Sequence, residues 1–187
     1  MVLTLCAVFS VAVPKGACLN SYDLTLYVKD SQGKPLASAW VSVTTKYGEC
    51  DLRTVDNKTD ENGTVIFSLK SIEPFAFIEV FWKSVTVAHL NVSLQSQKTS
   101  LTIPCNVSNF NLMILQANGN PIKNAYVTLT WTIDVTWKIS TYSETNGLVS
   151  FKQIPHYDNY VLSVKWKSKT VYQDLLQFHG ETEPFQV

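Results

Sequence analysis

Three histidines, four cysteines and a loose group of carboxylates are the residues here with chemistry beyond packing, and their spacing gives them little to do. His89, His156 and His179 stand far apart, with no HExxH spacing and no serine or cysteine nucleophile motif around them. No glycine-rich phosphate loop is present. Asp51, Asp56, Asp60 and Glu61 have the acidity of a cation site, yet an acidic hairpin loop is ordinarily just solvated. Trp40, Trp82, Trp131, Trp137 and Trp166 offer aromatic surface for a sugar, but Trp82 and Trp166 fall at one position of an internal repeat, which assigns them first to packing. No catalytic, cofactor or metal residue is expected, and the chain reads as a non-enzyme.

Two kinds of covalent chemistry remain. Cys6, Cys18, Cys50 and Cys105 show no CxxC or Cys/His zinc pattern. In an oxidising compartment they permit three pairings within one chain, and Cys6 permits a bridge between subunits; buried free thiols are the plainer alternative for any one of them. Four N-glycosylation sequons begin at Asn57, Asn62, Asn91 and Asn106, all in the first part of the chain. If the protein is secreted these are the expected glycan sites, although Asn62 also has a competing role as a turn residue.

Composition excludes several partners. Hydrophobic residues make up 45% of the 187, charged residues only 16%, and the formal net charge is zero. Such a surface has no electrostatic footprint for nucleic acid or an anionic membrane. It also changes little in charge as pH falls, which suits an acidic exterior.

The elements come next. Met1 to Val13 reads MVLTLCAVFSVAV, with Leu3, Leu5, Ala7, Phe9, Val11 and Val13 all apolar and the intervening positions mostly small or weakly polar, which is strand periodicity. A secretory signal is the competitor, but no Lys or Arg precedes Lys15 to make a basic n-region. A membrane span needs roughly 20 apolar residues, so none is expected. Burying six such side chains is worth on the order of 10 kcal/mol, and ordering the stretch costs at least about 1 kcal/mol per residue. The strand therefore needs a groove that also takes its backbone hydrogen bonds, at about 1 kcal/mol each.

The rest of the chain is one unit written twice. Gly33-Lys34-Pro35-Leu36-Ala37-Ser38-Ala39-Trp40-Val41-Ser42-Val43 recurs as Gly119-Asn120-Pro121-Ile122-Lys123-Asn124-Ala125-Tyr126-Val127-Thr128-Leu129. Asn62-Gly63 with Phe67 recurs as Asn146-Gly147 with Phe151, and Trp82-Lys83-Ser84 as Trp166-Lys167-Ser168. Each copy alternates apolar and polar residues in short runs punctuated by Gly, Pro and Asn, the pattern of a β-sandwich. Each Asn-Gly pair is expected to join two antiparallel strands in a tight hairpin, and each Trp-Lys-Ser a further one. The closing strand of the first copy, Lys98 to Ile103, corresponds in the second to a stub, Phe185-Gln186-Val187, preceded by Pro184. An open sheet edge is the expectation there.

The phrases Asp30-Ser31-Gln32-Gly33-Lys34-Pro35-Leu36-Ala37-Ser38-Ala39-Trp40-Val41-Ser42-Val43 and Thr59-Asp60-Glu61-Asn62-Gly63-Thr64-Val65-Ile66-Phe67 resemble the immunoglobulin-like, prealbumin-like modules called carboxypeptidase-regulatory and collagen-adhesin B-type domains. The resemblance covers most of residues 22 to 187 and implies stalks, spacers or adhesin parts on cell surfaces. Some adhesin B-type domains carry a Lys to Asn or Asp isopeptide bond assisted by a Glu. Glu79 lies in a suitable later strand, but Lys29 sits on the outward side of the Leu24, Leu26, Val28 alternation, and the second copy has Leu115 and Ser163 at the paired positions. That departure argues against the bond. The whole arrangement is similar to pilins assembled by donor-strand complementation, most of all to subunits of archaeal thread filaments.

The sequence thus predicts an all-β chain of two tandem immunoglobulin-like β-sandwiches, 22–105 and 106–187, behind a donor strand, 1–13, and a linker, 14–21. Its expected function is that of a structural subunit of an extracellular cell-surface filament. Identical subunits would join head to tail, each inserting its first strand into a neighbour's second domain, for adhesion or cell contact. The alternative is a monomeric secreted or surface module binding carbohydrate or protein, its first strand folded into its own domain.

Overall fold

Leu24, Leu26 and Val28 alternate with Thr25, Tyr27 and Lys29, and a chain so patterned buries one face as a strand. The computed structural model describes residues 18–48, 50–132, 137–181 and 185–186, with fourteen strands and no helix among them. The expected donor strand, Cys6 and residues 14–17 of the expected linker lie outside the described residues.

In the first half, β1 (Asn20–Lys29) is flanked by β4 (Thr64–Ser71), antiparallel, and by β7 (Lys98–Pro104), parallel. The second sheet runs in the order β3 (Leu52–Lys58), β2 (Trp40–Lys46), β5 (Phe75–Trp82), β6 (Val85–Ser93), antiparallel throughout. Leu24, Leu26, Val28 and Phe67 from one sheet and Val41, Val43, Ile78 and Val80 from the other are buried together between them. β1 begins at Asn20, inside the stretch expected as linker, because Tyr22 is buried and Asn20 and Ser21 pair with Ser71 and Lys70.

The second half repeats this plan strand for strand. β8 (Val107–Met113) lies between β11 (Leu148–Pro155) and β14 (Phe185–Gln186). The other sheet runs β10 (Lys138–Tyr142), β9 (Tyr126–Trp131), β12 (Tyr157–Trp166), β13 (Lys169–Phe178). Phe110, Phe151 and Phe178 meet in its core, with ring centroids 4.8 Å apart for Phe110 and Phe178. β14 pairs parallel with β8 at Leu112 and Met113, where β7 pairs with β1 from Asp23 to Lys29. All the strand pairings among the described residues stay within 20–104 or within 107–186.

The Asn-Gly pairs do not make hairpins. β3 pairs with β2 and β4 with β1, so Asn62-Gly63 carries the chain from one sheet to the other, as Asn146-Gly147 does in the second half. The Asp60 carboxylate accepts the N–H groups of Asn62 and Thr64 at 2.9 and 2.8 Å, and Gly63 takes φ +70°. That local anchoring holds a crossing turn and needs no strand partner. The two-residue hairpins with both central residues at positive φ are instead Lys83-Ser84 and Lys167-Ser168, at 50° and 65° and at 47° and 65°.

Candidate functional site

The two halves meet in a compact junction made of polar groups from turns. β7 hands the chain over through Cys105, whose N–H bonds to Lys29 O at 2.8 Å, and Asn106, whose N–H bonds to Val87 O at 2.9 Å. Asn106 O in turn accepts the His156 N–H, and Val107 O accepts the Ser31 N–H, both at 2.9 Å. Ser108 Oγ and His156 Nε2 lie 2.9 Å apart, and burial holds the His156 imidazole below its usual pKa.

Gln153 is the hub. Apolar alternation along β11 slips there, from Phe151 to Ile154, so Gln153 bulges out of register with φ 51°. Its carbonyl accepts the Trp82 indole N–H at 2.9 Å and Lys83 Nζ at 3.0 Å. Its N–H bonds to Asn109 Oδ1 at 3.2 Å, and its side-chain amide donates to Pro35 O at 3.1 Å and faces Asp30 Oδ2 at 3.5 Å. Lys83 Nζ sits 5.6 Å from the Trp82 ring centroid and 5.5 Å from that of Trp137. Burial there lowers its pKa to about 8. Asp30 is buried and satisfied, its Oδ1 accepting from Gln32 and Lys34. Burial first, then the Asp30 charge, pushes the Cys105 thiol up to about 12, so it is inert as a nucleophile at neutral pH.

The sequence-predicted residues are scattered around this frame. Cys18 and Cys50 are exposed, Cys105 is buried, and these three are free of one another. Glu79 and Lys29 lie on the outer faces of different sheets, with buried Ile78, Val80 and Val28 beside them, so they do not meet. Among the described residues no three His, Cys, Asp or Glu side chains gather to hold a metal, and Asp60 serves its turn. Trp82 belongs to the junction, whereas Trp166 is capped by Lys167 at 4.2 Å from its ring. Trp131 is buried among Trp137, Tyr157 and Tyr160, with no partner for its Nε1 among the described residues.

The sequons sit at sheet margins. Asn57 lies on β3, Asn62 in the turn from β3 to β4, Asn91 on β6, and Asn106 just past β7, and all four are exposed. Two of the sequon hydroxyls have structural duties. Thr59 Oγ1 is buried, accepting the Ala39 N–H at 2.9 Å and donating to Leu36 O at 2.5 Å, and Ser143 repeats this with Ala125 and Ile122 in the second half. Ser108 is held by His156. The residues that sequence reasoning missed are Asp30, Lys83 and Gln153. The slip from Phe151 to Ile154 was the one signal for the bulge.

The fold defines an all-β protein of sheets packed face to face. No family model matches the chain, and no curated protein matches it. Among solved structures it is similar to the shaft pilin SpaA of Lactobacillus rhamnosus GG, at 8% identity and a TM-score of 0.44, over 89% of this chain and 96% of that one. A streptococcal ancillary pilin is similar at 13% identity and a TM-score of 0.37, over 89% of this chain and 61% of the pilin's length. A DUF3823 family protein from Parabacteroides merdae is similar at 13% identity and a TM-score of 0.37, over 77% of this chain and 89% of its own. No described helix is long and apolar enough to cross a membrane.

Proposed function

We propose that this chain is a structural subunit of an extracellular cell-surface filament, built of two β-sandwich domains, 22–105 and 106–187. Residues 1–13 act as a donor strand that adds to a neighbour's second domain, so that identical subunits polymerise head to tail. The observation that carries the reading is the alternation of Leu3, Leu5, Ala7, Phe9, Val11 and Val13, an apolar strand face in need of a groove. Strand pairings confined to each half support the domain division. A heterologous contact of this kind does not close, and the product is a fibre.

A second reading has one observation in its favour. Between β6 and β7 runs a cleft of about 400 Å³ lined by Ala88, Leu90 and Ile103, a place where the same chain's first strand would fit. The protein would then be a monomeric binding module. Light scattering and electron microscopy of the full chain beside a variant lacking Met1 to Val13 decide between them. Filaments from the first and folded monomers from the second are expected. Monomers from the full chain, with misfolding on deletion, would return the strand to its own core.

A further inference from the structure

The open flanks of a β-sandwich are where a foreign strand adds, and natural proteins defend them. In the first half, one flank is bounded by the edge strands β3 and β4 and the other by β6 and β7. Asn57 and Asn62 lie along the first flank, Asn91 and Asn106 along the second, and all four side chains are exposed. Asn106 itself lines the β6–β7 cleft together with Ala88, His89, Leu90 and Ile103. The second half, whose strands follow the same order, has no sequon anywhere from Asn109 onward. Four acceptor sites thus fall on both flanks of one half and on neither flank of its copy.

We propose that N-linked oligosaccharides at these four asparagines guard both flanks of the first half against strand addition, leaving the edges of the second half as the place where another copy pairs. The inference rests on the extracellular reading above, which brings the chain to a glycosylating enzyme. In the modification, Asn Nδ2 bonds to the anomeric carbon of a lipid-diphosphate-linked oligosaccharide. The bond from that carbon to the diphosphate oxygen breaks, the lipid diphosphate leaves, and the transferase takes the amide proton. The attached sugar is bulky and strongly hydrated, and a strand approaching β3 or β6 must displace it. At Asn106 it extends over the β6–β7 cleft, whose lining includes the exposed His89 and half-buried Leu90. Timing follows from the hydroxyls. Thr59 and Ser108 are buried in the fold, so Asn57 and Asn106 receive sugar before folding, while Ser93 is exposed and leaves Asn91 open afterwards.

The test uses the full chain secreted from a glycosylating host, with occupancy mapped by peptide mass spectrometry. It is compared with the Asn57→Gln, Asn62→Gln, Asn91→Gln, Asn106→Gln variant, which keeps Thr59 and Ser108, and with folded protein trimmed by an endoglycosidase, which needs no refolding. The expected result is occupancy at all four sites, with intermolecular cross-links confined to the second half. Both sugar-free forms should add cross-links to β3 and β6 and gain at least about two-fold in weight-average mass. Empty sequons, or sugar-free protein with unchanged mass and unchanged cross-links, overturn the proposal. If the glycosylated chain is monomeric yet the sugar-free forms still associate through β3 and β6, the guard stands and the filament reading fails.

Discussion

A methyl group added at Gly63 would lie 2.5 Å from the Val28 carbonyl oxygen and 3.0 Å from Pro35 Cβ, while one at Gly33 meets nothing within 4 Å. Both residues have positive φ, so Gly33→Ala should cost only left-handed strain, roughly 1–2 kcal/mol. Gly63→Ala must also displace backbone, and urea denaturation should find it at least about 1 kcal/mol less stable than Gly33→Ala. Lys83 offers a second test at a single residue. Its pKa falls from 10.5 to about 8 on folding, so between those values the unfolded chain binds more protons and stability contributed by this group rises with pH. That contribution is fully present above 10.5 and lost as pH falls through about 8. Relative to Lys83→Met, the wild type should gain stability across that window in paired denaturation curves. Cys105, with its raised pKa, pulls both proteins the other way above pH 9 and cancels in the difference.

Hairpins and bulges explain how two copies of one strand plan came to differ. Each half turns from its third to its fourth sheet-forming neighbour through an identical backbone pair, Lys-Ser, held at left-handed angles that favour glycine or asparagine. Ser168→Gly in the β12–β13 turn keeps Lys167 over Trp166 and should stabilise the protein by about 1 kcal/mol by relieving that strain. A lower thermal midpoint for this variant would show that the Ser168 side chain supplies a contact worth more than the strain. β4 and β11 differ in kind. Leu69 and Ser71 keep β4 inward at period two, whereas Gln153 interrupts the period in β11 and turns its backbone towards the first half. The bulge is a departure of β11 from its counterpart β4, which pairs with β1 without a register shift, and the junction is built on it.

The molecule as a whole depends on that junction to relate its halves, since no strand pairing crosses it among the described residues. Trp82 supplies an indole donor to Gln153 O and one wall for Lys83. Trp82→Ala should accelerate amide exchange at Gln153, whose N–H is held by Asn109, by about ten-fold, the worth of one net hydrogen bond. Exchange in the β8 and β12 cores should be unchanged. Equal exchange at Gln153 in wild type and variant would mean that the turn contacts from Ser31, Asn106 and His156 hold the halves without it.

Most of the strand plan was legible along the chain because period-two burial and repeat spacing are local properties. Leu24, Leu26 and Val28 declare an inward face whatever they pack against, and Trp82-Lys83-Ser84 declares a hairpin by its recurrence. Asn62-Gly63 misled for a physical reason: a turn motif specifies φ at its own residues but not the sheet to which the next strand belongs. Only long-range pairing, β4 with β1 and β3 with β2, made it a crossing between sheets. The same holds for function. Four sequons, a threonine at position 59 and a lysine at position 83 are visible as letters, and their chemistry can be read one residue at a time. Their placement on two flanks, in a buried hydrogen-bond pair and between two indoles arises from contacts between segments far apart in sequence, and packing alone brings those together.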